Sequence, residues 1–66
     1  MLKIEFVFFD WDSAIEFHRE TGVFKNWDEA YGFGENLANQ LMVENNLDYI
    51  HWTYELKGEW NNEQEE

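Results

Sequence analysis

NWDEAYGFGENLANQLMVENN, residues 26–46, is the stretch whose apolar residues recur at a helical period, and its reading decides the fold. At about 100° per residue from Trp27, one stripe collects Trp27, Ala30, Phe33, Leu37, Ala38 and Leu41, with Gly34 in its middle. Asn26 is placed to cap the first turn, and Glu29 stands at the third helical position, as in a capping box. Asp28 and Glu29 suit the positive end of the helix dipole. A glycine on the apolar stripe predicts close approach of the helix to whatever it covers, at about 1 kcal/mol against Ala. Gly32 falls on the polar side and, with Gly34, marks where the helix would kink or divide.

What the helix covers is read from the segments on either side. In MLKIEFVFFD, residues 1–10, Leu2, Ile4, Phe6 and Phe8 alternate with Lys3, Glu5, Val7 and Phe9, which is the period of a strand. After a DWDS turn at residues 10–13, AIEFHRETG alternates Ile15, Phe17 and Arg19 against Glu16, His18 and Glu20, a second strand that closes a hairpin. Thr21 and Gly22 are expected to bend the chain and Phe24 to dock on the core. Residues 47–56 read as a third strand, with Ile50, Trp52, Tyr54 and Leu56 on one face and Tyr49, His51, Thr53 and Glu55 on the other. The expected fold is a small α+β domain over residues 1–58 in ββαβ order. One helix covers the face of a three-stranded antiparallel sheet built from Leu2, Ile4, Phe6, Phe8, Ile15, Phe17, Ile50, Trp52 and Tyr54. Residues 59–66 are expected to be an acidic, flexible tail.

A 66-residue domain hides only about 60% of the surface of its unfolded chain, so oligomerisation would be one source of further burial. Without Cys there is neither a disulfide framework nor a thiolate metal site, and the default location is cytoplasmic. The first ten residues lack a signal-peptide cleavage pattern, and no run approaches the roughly 18 apolar residues of a membrane span. With 44% hydrophobic and 20% aromatic residues the chain is too apolar for a disordered acidic tail despite its formal charge of -11. That charge is uneven. Residues 1–25 carry five acids and three bases, net -2; residues 26–66 carry ten acids and one base, net -9. Direct binding to nucleic acid or to an anionic membrane needs Lys and Arg against phosphate, so a charged partner of this chain is expected to be basic.

The sequence carries only fragments of catalytic patterns. VFFDWDSA, residues 7–14, resembles the first motif of the haloacid dehalogenase-like phosphatases, a resemblance that would make Asp10 the nucleophile and Asp12 the acid-base group. The basic residue and second acidic cluster that the family adds have no counterpart here, and a solvated turn is the expected role of both Asp. The same pair opens an EF-hand pattern that fails at Ala14, Ile15 and Thr21. GFG at residues 32–34 lacks the spacing of a phosphate loop. His18 and His51, with Glu20 or Asp48, are weak as a metal set and are expected to be ordinary surface histidines. Ser13, the lone serine, has no adjacent base. No catalytic residue, metal or cofactor is expected.

The expected function is a small acidic, non-enzymatic protein that binds and inhibits or regulates a basic, nucleic-acid-binding protein. It is similar in size, charge and aromatic content to the small phage-encoded inhibitors that mimic DNA or block a host nucleic-acid enzyme. Asp28, Glu29, Glu35, Glu44, Asp48 and Glu55 would supply the charge, and Tyr31, Tyr49 and Trp60 the contacts. Asp28 and Glu35 lie on nearly one side of the helix and roughly 10.5 Å apart along it, close to three phosphate steps of about 3.4 Å. The alternative is a homodimeric structural or accessory protein whose Val7, Phe9, Tyr49 and Trp60 pair with a copy, the acids serving solubility.

Overall fold

The computed structural model describes residues 1–59. Strand β1 (Leu2–Asp10), strand β2 (Glu16–Phe24), helix α1 (Trp27–Glu44) and strand β3 (Ile50–Glu59) follow one another in the expected ββαβ order. β1 is the central strand, antiparallel to β2 on one side and β3 on the other, giving the sheet order β2-β1-β3. Leu2, Ile4, Phe6 and Phe8 of β1 are all buried under α1, together with Ala30, Ala38 and Leu41 of the helix. Phe6 lies at the centre, its ring meeting Phe24 edge-on at 5.8 Å and lying 5.4 Å from Phe33, 6.2 Å from Trp52 and 6.5 Å from Tyr54.

Both ends of α1 are closed by the chemistry that their residues offer. The Asn26 Oδ1 accepts the Glu29 N–H at 2.9 Å, and the Glu29 carboxylate accepts the Lys25 N–H at 3.3 Å, one residue earlier than in a capping box. At the other end Asn46 takes the left-handed conformation (φ 56°), and the Leu47 and Asn46 N–H groups donate to the Met42 and Val43 carbonyls at 2.8 and 3.3 Å. This is a Schellman closure, with Asn where Gly is commonest. Between the caps the helix is continuous, so Gly32 and Gly34 do not divide it.

β2 closes the expected hairpin on β1 but differs in its bounds and in which residues face the helix. It begins at Glu16 and runs through Thr21 and Gly22, which continue the strand rather than bend it. Val7 opposes Arg19 and Phe8 opposes His18, but Phe9 opposes Glu16, leaving Phe17 as an extra residue. Beyond this bulge the alternation is reset, and His18, Glu20, Gly22 and Phe24 face the helix side. The reset aligns Phe24 with Leu2, where its ring reaches Phe6 and Phe33. Ile15 and Phe17 are not under the helix as expected; they border a groove with Asn45 and Leu47 past its end and remain 65% and 38% exposed. β3 begins later than residue 47 and continues past Leu56 to Glu59, with an irregularity at Lys57 that keeps Gly58 opposite Lys3.

Candidate protein-binding surface

The expected acidic and aromatic residues do not form one site, but three of them meet on the flank where α1 passes β3. Trp27 and Tyr31 stand four residues apart on the helix and therefore share a face. The Trp27 ring lies 5.9 Å from Tyr54, and the Tyr31 ring lies 5.6 Å from Trp52 and meets Tyr54 edge-on at 6.4 Å. Rings at these separations support one another, so the ridge is held in place before anything binds. It is nevertheless open: Trp27 is 45%, Tyr31 50% and Tyr54 47% exposed. Asp28 and Glu35 lie about 40–60° around the helix from Tyr31, on its solvent side, and both are exposed. No basic side chain pairs with either among the described residues.

The remaining expected residues are placed elsewhere. Glu29 is occupied in the N-terminal cap. Glu44 accepts a bond from Gln40 Nε2 at 2.9 Å, on the opposite flank of the helix from Asp28. Asp48 is exposed between α1 and β3. Tyr49 lies 5.9 Å from the Trp11 ring beside the β1–β2 turn. Glu55 points to the uncovered sheet face, and Trp60 lies outside the described residues. Trp27 and Tyr54, expected in the core, are instead two of the three residues of the exposed ridge. The signal was present in their chemistry, since Trp and Tyr are seldom buried whole and usually keep one end in water.

The uncovered face of the sheet explains where the positive charge has gone. The Glu5 carboxylate, mostly covered, receives Arg19 Nη1 from β2 at 3.3 Å and Lys57 Nζ from β3 at 3.5 Å. Arg19 also forks onto Glu16 with bonds of 2.8 and 2.7 Å, and Lys57 reaches Glu55 at 3.3 Å. The fork holds the Glu16 carboxyl below its ordinary value and, with Glu5, raises Arg19. Hydrogen bonding and charge from Glu55, then Glu5, raise Lys57. Two of the chain's four bases are thus spent neutralising the open face, while the helix carries Asp28, Glu29, Glu35 and Glu44 with no base at all.

At the hairpin end of that face, Phe9, Asp10, Trp11, Ala14, His51 and Thr53 line a shallow groove of about 360 Å³. Asp10 and Asp12 form the expected turn. Asp10 Oδ1 accepts the Asp12 N–H at 3.0 Å, and the Ala14 N–H closes the loop onto the Asp10 carbonyl at 2.8 Å, with Ala14 at φ 60°. Ser13 Oγ accepts the Ile15 N–H at 3.3 Å. His18 opposes Phe8 on the helix side and bonds Glu20 at 3.0 Å, so it is not the solvent-face histidine expected; His51 opposes Phe9 on the other face. The two cannot share a ligand. Among the described residues no group of three or more His, Asp or Glu side chains converges as a metal site, and no helix is long and apolar enough to cross a membrane. Compared with protein-family models, curated proteins and solved structures, the chain matches none.

Proposed function

We propose that this chain is a non-enzymatic regulator that binds a basic, nucleic-acid-handling protein through the α1–β3 flank. The observation that carries this reading is that Asp28 and Glu35, which have no basic partner among the described residues, stand beside the interlocked ridge of Trp27, Tyr31 and Tyr54. Acids without a cationic neighbour present an uncancelled field that speeds encounter with a basic surface. Desolvated aromatic contacts usually hold most of the energy of an interface, and a ridge already packed loses little freedom on binding. The axial separation of the two carboxylates suits a surface built to receive successive phosphates.

The test is affinity capture from the native host cell, with partners identified by mass spectrometry, using the parent chain and the double variant Asp28→Lys/Glu35→Lys. Both positions are exposed, so the fold is expected to survive. Capture by the parent should weaken steeply with added salt, and the variant should lose about tenfold or more in affinity at moderate salt. Equal capture by the two chains would refute the electrostatic reading of this flank. A second reading, the homodimeric accessory protein, draws on the exposed Trp11–Tyr49 pair at the hairpin end. It requires a sedimentation mass above that of one 8.1 kDa chain at high concentration.

A further inference from the structure

The sheet has two outer edges, and they are not alike. β2 carries Glu16, His18, Arg19 and Glu20 along its first half, tied down by the Arg19–Glu16 fork and the His18–Glu20 bond. Charged side chains are a usual means of keeping a sheet edge from pairing with another chain. β3 places its protection at its far end: Ile50 to Tyr54 carry no charge besides His51 and no Pro, and Glu55, Lys57, Glu59 and the irregularity at Lys57 come after them. Among the described residues nothing pairs with its outer edge. Trp52 and Tyr54 of this strand meet the aromatic ridge, and Asp28 and Glu35 stand next to Tyr31 around the helix, with no basic partner among the described residues.

From this juxtaposition we infer that the β3 edge receives an extended, arginine-bearing segment of the basic partner as a fourth strand. The inference rests on the reading of this flank as a surface for a basic protein and specifies how that protein is held. An added strand exchanges main-chain hydrogen bonds with β3, and its alternate side chains, about 6.6 Å apart, fall on the helix side of the sheet. Trp52 and Tyr54, whose rings are 5.9 Å apart, repeat at nearly that interval. Arginines there meet the ring faces of Tyr54, Tyr31 and Trp27 and then the carboxylates of Asp28 and Glu35. The planar guanidinium is suited to both contacts at once, since it stacks on aromatic rings and pairs with carboxylates, whereas a lysine ammonium does not stack. A second copy of this chain would bring another net charge of -11 to the same edge, which opposes self-pairing.

The probe is a blocked peptide of about ten residues alternating Arg and Val, matched to the length of β3 and titrated at moderate salt. Binding should quench tryptophan fluorescence and slow hydrogen exchange at alternate β3 amides. Methylating the peptide's backbone nitrogens on one edge should weaken it about tenfold or more, because the strand bonds are lost. Replacing its Arg by Lys, or Tyr31 of the protein by Leu, should weaken it about threefold to fivefold. Absence of binding, equal binding by the methylated peptide, or binding without protection in β3 would each overturn the proposal. Protection of β3 that rises with protein concentration and no peptide would give the edge to a second copy and overturn it too. The two readings fail separately. If Asp28→Lys/Glu35→Lys abolishes capture of the natural partner while the peptide does not pair with β3, strand addition falls and the regulator reading stands; peptide pairing with unchanged capture is the reverse.

Discussion

The Trp52 indole occupies the space that a side chain at position 34 would need: a Cβ built on Gly34 would come 2.5 Å from its Cζ3 and 2.9 Å from Cε1 of Phe6. The indole cannot easily yield, because it is stacked at 6.0 Å on Phe8 and flanked by Tyr31 and Tyr54. Ala improves helix propensity by about 1 kcal/mol, but overpacking a filled core costs about 1–3 kcal/mol and is expected to win. Gly34→Ala should therefore destabilise the domain. Gly32, with nothing within 4 Å of an added Cβ, should show the propensity gain alone, so Gly32→Ala is expected to stabilise by up to about 1 kcal/mol. Urea melts of the two variants check the opposite signs, and a stabilised Gly34→Ala would contradict the packing account.

The same pair of residues shows how much of the fold was legible. Helical period placed Gly34 on the buried stripe, and strand period placed Trp52 on the face it meets, because each depends only on local spacing. The edge strand was less legible. Ile15 and Phe17 predict its inward face correctly only if pairing is regular, and the bulge at Phe17 resets the alternation to favour Phe24 against Leu2. That choice turns on contacts between residues distant in the chain, Phe24 with Phe6 and Phe33 and Arg19 with Glu5, which no local pattern contains. The candidate site was legible in kind and only partly in place. Asp28, Tyr31 and Glu35 are on the α1–β3 flank as neighbours, whereas Glu55 and Tyr49 are led elsewhere by Lys57 and Trp11.

The N-terminal cap closes the helix two residues after β2 ends. The Asn26→Ala variant removes the acceptor of the Glu29 N–H, and typical losses at such positions are about 1 kcal/mol. Asn26→Asp or Asn26→Ser should recover most of that loss. Thermal unfolding followed by circular dichroism tests this; an Ala variant as stable as the parent would mean that the Glu29–Lys25 bond alone closes the helix.

Acid titration should separate paired from unpaired carboxylates. Glu16 is held below its ordinary value by Arg19, so its contribution to stability is present above the unfolded value, about 4.3, and is lost as pH falls through the lower folded value. Lys57 is raised, so its contribution is present below its unfolded value and lost only as pH rises through the folded one, at the alkaline end. Glu16→Gln should thus lower the urea midpoint at neutral pH. Glu35→Gln, which removes an acid with no cationic partner, should raise it. The Glu16→Gln difference should shrink as pH falls through the lowered value of Glu16. A Glu16→Gln chain more stable than the parent at pH 7 would show that general repulsion outweighs the Arg19 fork.

Two opposed charge effects act on the whole domain, and added salt tells which is larger. Screening weakens the bonds of Glu5 to Arg19 and Lys57, which destabilises, but it also weakens the mutual repulsion of fifteen acids against four bases, which stabilises. Glu5 is mostly covered, but its partners Arg19 and Lys57 remain 51% and 41% exposed, and pairs with such solvated partners contribute little even at low salt. The repulsion is shared by every acid on the helix, where no base stands. Raising sodium chloride from about 10 mM to about 1 M shortens the screening length from about 30 Å to about 3 Å, less than the spacing between most of these acids. We therefore expect salt to stabilise the domain, each 1 kcal/mol appearing as a rise of about 4–8 °C in the unfolding midpoint. Sucrose, which strengthens burial without screening, serves as the control, and its effect should be unchanged in Asp28→Lys/Glu35→Lys whereas that of salt should shrink. A midpoint that falls with sodium chloride would place the Glu5 ion pairs, rather than the acidic helix, in control of the domain's electrostatic stability.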